Sequence, residues 1–173
     1  MSLYPVNDIM VSVCVVTYNH GKYIGTCLDH ILRQRRKFRI EILIHDDAST
    51  DGAQDVIRAY QKRYPDIIKP ILRVENQYSQ GITNISGAFN FPRAVGKYVA
   101  LTDGDDYWCD DYKLQRQVDY MEAHPECGFT FHSAKVVTED GALVNGELMR
   151  PYHESRVVKP AELVDKATGS PFA

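Results

Sequence analysis

The strongest constraint on this chain is a recurring unit: a short apolar run, a polar acid-rich tip, then a helical stripe. Residues 11–17 (VSVCVVT) are almost continuously apolar and rich in β-branched side chains, the pattern of a strand covered on both faces in a parallel sheet. The run stops at Tyr18-Asn19-His20-Gly21. Ile24, Cys27, Leu28, Ile31 and Leu32 then recur at the spacing of one amphipathic helix face.

The unit repeats at residues 40–44, which end in His45-Asp46-Asp47-Ala48-Ser49-Thr50-Asp51-Gly52, a cluster of turn and N-cap residues. Ala53, Val56, Ile57, Tyr60 and Tyr64 follow as a second helical stripe, stopped by Pro65. A third strand is predicted within residues 67–74, where Pro70 places it near an edge or bulge or shortens it. Residues 75–81 read as a loop, and 85–95 as a short helix that Pro92 interrupts or ends. Residues 97–102 (KYVALT) form a fourth predicted strand, running into Asp103-Gly104-Asp105-Asp106. Residues 111–123 carry Leu114, Val118 and Met121 on one helical face; residues 129–137 read as a further strand, with a hairpin turn at Asp140-Gly141 before Leu143-Val144.

Strands alternating with helices imply an α/β fold, a mainly parallel, Rossmann-like sheet with helices on both faces. Such sheets bind ligands beyond the carboxyl ends of their strands. The polar tips after strands one, two and four should therefore gather on one edge, and that convergence is the case for a site.

A chain of 173 residues fits one core. No segment reaches the roughly 20 apolar residues that cross a bilayer, and the N-terminus lacks a secretion signal, so a cytoplasmic location is expected. A net charge of −3 with mixed signs gives no case for nucleic acid. The basic run Arg33, Arg35, Arg36, Lys37, Arg39 reads as a solvated helix end and loop in preference to an anionic-membrane contact. Cys14, Cys27, Cys109 and Cys127 form no CxxC pair and read as free thiols.

In Asp103-Gly104-Asp105-Asp106, side-chain alternation points Asp103 and Asp105 the same way, and Gly104 lets another group approach. Clustered carboxylates repel unless a cation or protons compensate them. Hard oxygens suit Mg²⁺ or Mn²⁺, and so few ligands leave positions for phosphate oxygens. The bland alternative is a solvated acidic turn, since Asp-Gly favours turns anyway. An EF-hand is excluded, because Trp108 and Leu114 stand where Gly and Glu are required. In the Asp46-Asp47 pair, a carboxylate could accept the imino N–H of a uracil ring; the structural reading is that Asp46, Ser49, Thr50 and Asp51 turn the chain and cap the next helix. Tyr18 could stack on a base and Thr17 could reach ribose or phosphate, although a Tyr beside a loop is more often simply packed. No GxGxxG or P-loop pattern occurs, against dehydrogenase and NTPase readings.

Taken together, VSVCVVTYNHGKYI, IEILIHDDASTDG and AVGKYVALTDGDDYW, in this order over residues 11–130, resemble family 2 of the glycosyltransferases. The resemblance implies a GT-A fold and transfer of a sugar from a nucleotide diphosphate to an acceptor hydroxyl with inversion. It implies nucleotide-binding roles for Thr17, Tyr18, Asn19, Asp46, Asp47 and Asp103, with Asp47 aimed at the base. It also implies a Mn²⁺ or Mg²⁺ cofactor on Asp105, with Asp103 and Asp106 as further ligands. The expected partners are a UDP-sugar donor, with GDP, dTDP and CMP carriers left open, and a saccharide or lipid-linked acceptor. Membrane contact is expected to be peripheral at most, at the inner face.

The expected division is a tail over 1–10, a nucleotide-sugar-binding domain over 11–130, and the start of an acceptor-side half over 131–173. Thr138-Glu139-Asp140 comes too soon after the acidic motif to hold the family's catalytic base. That base is expected beyond Ala173, which would leave the chain able to bind donor but catalytically incomplete. A non-catalytic nucleotide or carbohydrate module and a sugar nucleotidyltransferase are the competing readings; the second would need a Gly-rich basic loop after strand one, which Tyr18-Asn19-His20 is not.

Overall fold

The computed structural model describes residues 9–149 and 156–159. Strands β1 (Ile9–Thr17), β2 (Arg39–Asp46), β3 (Ile68–Leu72) and β4 (Tyr98–Asp103) form one sheet in the order β3-β2-β1-β4. All of its pairings are parallel. Helices α1 (Ile24–Leu32), α2 (Ala53–Arg63) and α3 (Lys113–Ala123) complete the alternation. The chain divides into two compact units, Met1–Tyr120 and Met121–Ala173, and the division falls inside α3.

Period-two alternation gives the first unit two unlike sheet faces. Val11, Val13 and Val15 lie in register with Ile40, Ile42 and Ile44. They pack in one cluster with Ile24, Leu28 and Ile31 of α1, Ala53 and Ile57 of α2, and Leu114 and Val118 of α3. Each fully buried aliphatic side chain there contributes roughly 1.5–3 kcal/mol. This is the face that the helical stripes predict.

The opposite face mixes polar side chains with the buried Cys14 and Leu43. Ser12, Glu41 and His45 are all buried on it, beneath residues 86–93. The short helix expected there is a single wide π turn, Ser86–Asn90, followed by a tight 3₁₀ turn, Phe91–Arg93. Pro92 sits at the start of the tight turn, where its missing N–H costs nothing. The segment is held by side chains reaching strand carbonyls: Asn90 Nδ2 donates to Val15 O at 3.2 Å, and Arg93 donates to Ile44 O at 2.9 Å and Lys69 O at 2.7 Å. Beneath it, the Glu41 carboxylate accepts from Ser12 Oγ (2.6 Å), Lys69 Nζ (2.6 Å) and the Val95 amide (3.0 Å). Burial alone would raise the Glu41 pKa; the hydrogen bonds from Lys69, Ser12 and Val95 outweigh it and hold the group below the ordinary carboxylate range.

Pro70 lies in β3, an edge strand, as its missing donor requires. The other edge, β4, alternates: Tyr98 and Ala100 pack on the core cluster, whereas Val99 and Leu101 are 44% and 59% exposed. In the second unit, β5 (Ala134–Val137) pairs antiparallel with β6 (Leu143–Met149). The hairpin turns at Asp140-Gly141 as expected, with Gly141 at φ +81° and the Thr138 amide donating to Ala142 O at 2.9 Å. Among the described residues no helix is long and apolar enough to cross a membrane. All four cysteines are free, Cys14 and Cys27 buried and Cys109 exposed. In the basic run, Arg33 is ion-paired with Asp111 and the Arg35 guanidinium lies 5.8 Å from the centre of the Tyr112 ring.

Candidate functional site

Parallel register brings the predicted tips to a common rim. Thr17 stands opposite Asp46, and Val16 opposite Asp103. Backbone bonds then tie each tip to its neighbour: the Asp47 amide donates to Thr17 O (2.9 Å), the Gly104 amide to Val16 O (2.8 Å) and the Arg73 amide to Asp46 O (3.0 Å). The ladder thus continues one residue past the strands and fixes where the acidic side chains start.

The first two tips are clasped to each other by Asn19. Its φ of 56° is a left-handed conformation that Asn tolerates better than most residues. From there its amide donates to Ser49 Oγ at 2.8 Å, and its side-chain carbonyl accepts from the Thr50 amide at 2.8 Å. One loop further in, Asp51 accepts from the Gly21 amide at 2.6 Å and from the Ala53 amide at 3.1 Å. Asp51 therefore joins the clasp and also satisfies an orphan donor at the start of α2.

Asp46 and Asp47, adjacent in sequence, are used differently. The Asp46 carboxylate closes its own loop, accepting from the Ser49 amide (3.0 Å), Ser49 Oγ (2.5 Å) and Gln54 Nε2 (2.6 Å). Asp47 reaches across to the segment after β3. Its Oδ1 accepts from the Gln77 amide at 2.7 Å and its Oδ2 from the Tyr78 amide at 3.0 Å, while His45 Nε2 lies 3.3 Å from Oδ1. Burial pushes the Asp47 carboxyl up, but the Tyr78 and Gln77 amides and His45 outweigh it and hold it below the usual range. Asp47 is ionised and nearly enclosed, at 2% exposure.

The third tip is built around Gly104. A Cβ there would sit 2.5 Å from Thr17 Oγ1, 2.6 Å from Thr17 Cβ and 3.2 Å from His20 Nδ1. The close approach expected at Gly104 is made by the first tip of the chain itself. Asp105 lies beside His20, with 3.6 Å between Oδ1 and Nδ1, too far for a hydrogen bond. Both His20 Nδ1 and Thr17 Oγ1 are buried polar atoms with no hydrogen-bond partner. Burial and the carboxylates of Asp106 and Asp105 push Asp103 above the ordinary range, with His20 pulling the other way. Beneath the tip, the Cys27 thiol contacts Asp103 O at 3.5 Å, and burial followed by Asp106, Asp105 and Asp103 raises its pKa to about 12.

Downstream, the chain is pinned onto the end of α1. His30 Nδ1 is 2.7 Å from Trp108 O, and the buried Gln34 donates to Asp110 O (2.7 Å) while accepting from the Leu114 amide (3.0 Å). Tyr18, at 47% exposure, projects from the same rim. Sequence reasoning did not single out His20, Cys27, Gln34, His45 or the backbone of Gln77 and Tyr78. For His45 a signal existed: β2 is an apolar run interrupted on one face by Glu41 and His45, with Leu43 between them, which marks a second face carrying polar groups.

Among the described residues no three His, Cys, Asp or Glu side chains close on a common point as a preformed cation cage. The donor set nevertheless fits a hard cation. The oxygens on offer are carboxylates, and Asp103 is raised by burial and then by its like-charged neighbours Asp106 and Asp105, with His20 acting against them.

Residues 12–170 match the family described as Glycosyl transferase family 2. Protein Rv1520 of Mycobacterium tuberculosis is 43% identical over 136 residues, covering 76% of this chain and 37% of that protein. The Escherichia coli enzyme WfaP, a UDP-Glc:alpha-D-GlcNAc-diphosphoundecaprenol beta-1,3-glucosyltransferase, is 34% identical over 115 residues, covering 65% of this chain and 41% of WfaP. Among solved structures, the mannosyltransferase PcManGT of Pyrobaculum calidifontis, in complex with GDP-Man and Mn²⁺, superposes with a TM-score of 0.56 at 26% identity, covering 79% of this chain and 40% of that one. The chain thus spans less than half the length of each of these proteins. By a match over nearly its whole length and a parallel sheet shared with solved members of the fold, the chain belongs to glycosyltransferase family 2.

Proposed function

We propose that this chain is the nucleotide-sugar-binding part of an inverting glycosyltransferase that moves a sugar from UDP to an acceptor hydroxyl in polysaccharide or glycoconjugate synthesis. The observation that carries this reading is the meeting of the Tyr18, Asp47 and Asp105 tips on one rim, fixed by parallel register. The described activity of WfaP, which uses UDP-Glc and a lipid-linked saccharide acceptor, supports the choice of donor and acceptor class. Action at the inner face of a membrane belongs to the same reading. Residues 11–130 are assigned to donor binding and 131–173 to the beginning of the acceptor side.

In this reading Asp47 faces the base, Tyr18 stacks on it, and Thr17 and Asp103 face ribose and phosphate. Asn19 and Asp46, whose polar groups are already engaged within the chain, shape the pocket from behind. Asp105, with Asp103 and Asp106, would hold Mn²⁺ or Mg²⁺; PcManGT, solved with Mn²⁺, supports this. When bound, the cation offsets charge growing on the departing nucleotide diphosphate. The chain's own contribution is to orient the diphosphate against the rim and to hold the exposed Asp105 and Asp106 carboxylates beside it.

Calorimetric titration of UDP with Mn²⁺ and with chelator tests the proposal. Asp105→Ala is expected to lower the Mn²⁺-dependent affinity by about tenfold or more, the equivalent of at least about 1.4 kcal/mol. An unchanged affinity counts against the metal role. Asp47→Ala is expected to weaken UDP binding by about tenfold with or without metal. If Asp47→Ala changes only the unfolding midpoint, Asp47 serves the fold and not the base.

A further inference from the structure

His45 occupies the penultimate position of β2 and is wholly buried. Its ring stacks on Phe89 with 4.6 Å between centroids and 19° between planes, and the Arg73 guanidinium lies 4.3 Å from the centre of the same Phe89 ring. The ring is thus held between strand and covering segment, with Nε2 3.3 Å from Asp47 Oδ1 and Nδ1 buried without a partner. Burial holds the ring neutral, below the ordinary histidine range; Asp47 acts against this, and Arg73 and Arg93 act with it. A neutral imidazole carries one N–H. Were it on Nδ1, the Nε2 lone pair would face a carboxylate, so the donor is Nε2–H, pointed at Asp47.

A carboxylate offers about four acceptor positions, two on each oxygen. On Asp47, the Gln77 amide and His45 Nε2 fill both positions of Oδ1, and the Tyr78 amide fills one on Oδ2. One position remains. The side chain is only 3% exposed, so little of the carboxylate can be reached from outside. Uracil and thymine present one imino donor between two carbonyls, whereas guanine presents two adjacent donors that need both carboxylate oxygens.

We infer that His45 is a specificity-determining positioning residue: by occupying the second acceptor position of Asp47 Oδ1, it restricts the carboxylate to a base with one donor, so the site takes uracil or thymine nucleotides over guanine nucleotides. This rests on the reading that Asp47 faces the base. His45 acts through Asp47 and needs no contact with the nucleotide itself.

The test is calorimetry of UDP and GDP on the full chain, for the wild type, His45→Phe and His45→Gln. Phenylalanine keeps the stack on Phe89 and removes both the donor and the unpartnered Nδ1; glutamine keeps a donor near the Nε2 position. The wild type is expected to prefer UDP. His45→Phe should narrow the UDP-to-GDP affinity ratio by about tenfold, and His45→Gln should retain most of it. A merely structural histidine would weaken both nucleotides equally, and an unchanged ratio in a folded His45→Phe chain overturns the inference. Nitrogen-15 NMR of the wild-type imidazole checks it without any variant: a neutral ring protonated on Nε2 is expected, and a ring protonated on Nδ1, or charged at neutral pH, overturns it. A wild-type chain that binds no nucleotide removes the proposed function as well, whereas UDP binding without base preference removes only the role of His45.

Discussion

Replacing Glu41 with alanine is expected to cost about 3 kcal/mol of folding stability, near the lower end of what breaking a buried charge pair costs. The carboxylate is wholly buried and takes three donors. Lys69 is 44% exposed and can turn to water, so its share of the loss is small. The Ser12 hydroxyl, wholly buried, has no such escape and is left without an acceptor beside a cavity where the side chain was; Val95 is an exposed residue, so its amide adds less to the loss. Acid should erase part of the difference. Because the folded-state pKa of Glu41 is depressed, its stabilisation is fully present above the ordinary glutamate value and is lost as pH falls through the folded value. Urea denaturation of both chains at neutral pH and at successively lower pH measures this. A stability gap that stays constant down to acid pH would mean that Glu41 is not ionised in the fold.

The same residue marks where sequence reading stops. The strands and helices of the first unit are legible because each depends on neighbours within one element. The alternation of Val11, Val13 and Val15, the stripe of Ile24, Leu28 and Ile31, and the turn residues after β2 are all local signals. From them the parallel sheet follows, and from the sheet the common rim of Thr17, Asp46 and Asp103. What is not legible depends on partners far apart in the chain. Asp46 closing its loop onto Ser49 is the local turn that the sequence offers, whereas nothing local sends Asp47 to the amides of Gln77 and Tyr78. Asn19 reads as a possible nucleotide contact, yet its side chain accepts from Thr50, thirty-one positions away. The segment at 86–93 reads as a short helix, but its geometry is set by Asn90 and Arg93 reaching strand carbonyls, which no periodicity encodes.

Gly104→Val is expected to damage stability and binding together, with a loss of about 3 kcal/mol at the upper end of overpacking costs. The obstacle is space, not backbone conformation, since Gly104 is not among the positive-φ glycines. Even a bare Cβ would lie 2.5 Å from Thr17 Oγ1 and 2.6 Å from Thr17 Cβ. Thr17 cannot yield easily, because it is buried at the end of β1 and its backbone carbonyl holds the Asp47 amide. Any relief must therefore come from moving the Asp103 to Asp106 tip outward, away from His20 and from the rim that carries Asp47. In the proposed function that motion separates the diphosphate end of the site from the base end. Denaturation midpoint and UDP affinity should fall together, and Gly104→Ala should show the same pattern at smaller amplitude. Combining Gly104→Ala with Thr17→Gly removes the colliding atoms, so the pair should cost less than the sum of its parts. Strict additivity of the two substitutions, or a valine variant that keeps both its midpoint and its UDP affinity, would show that the two tips are not packed as the fold requires.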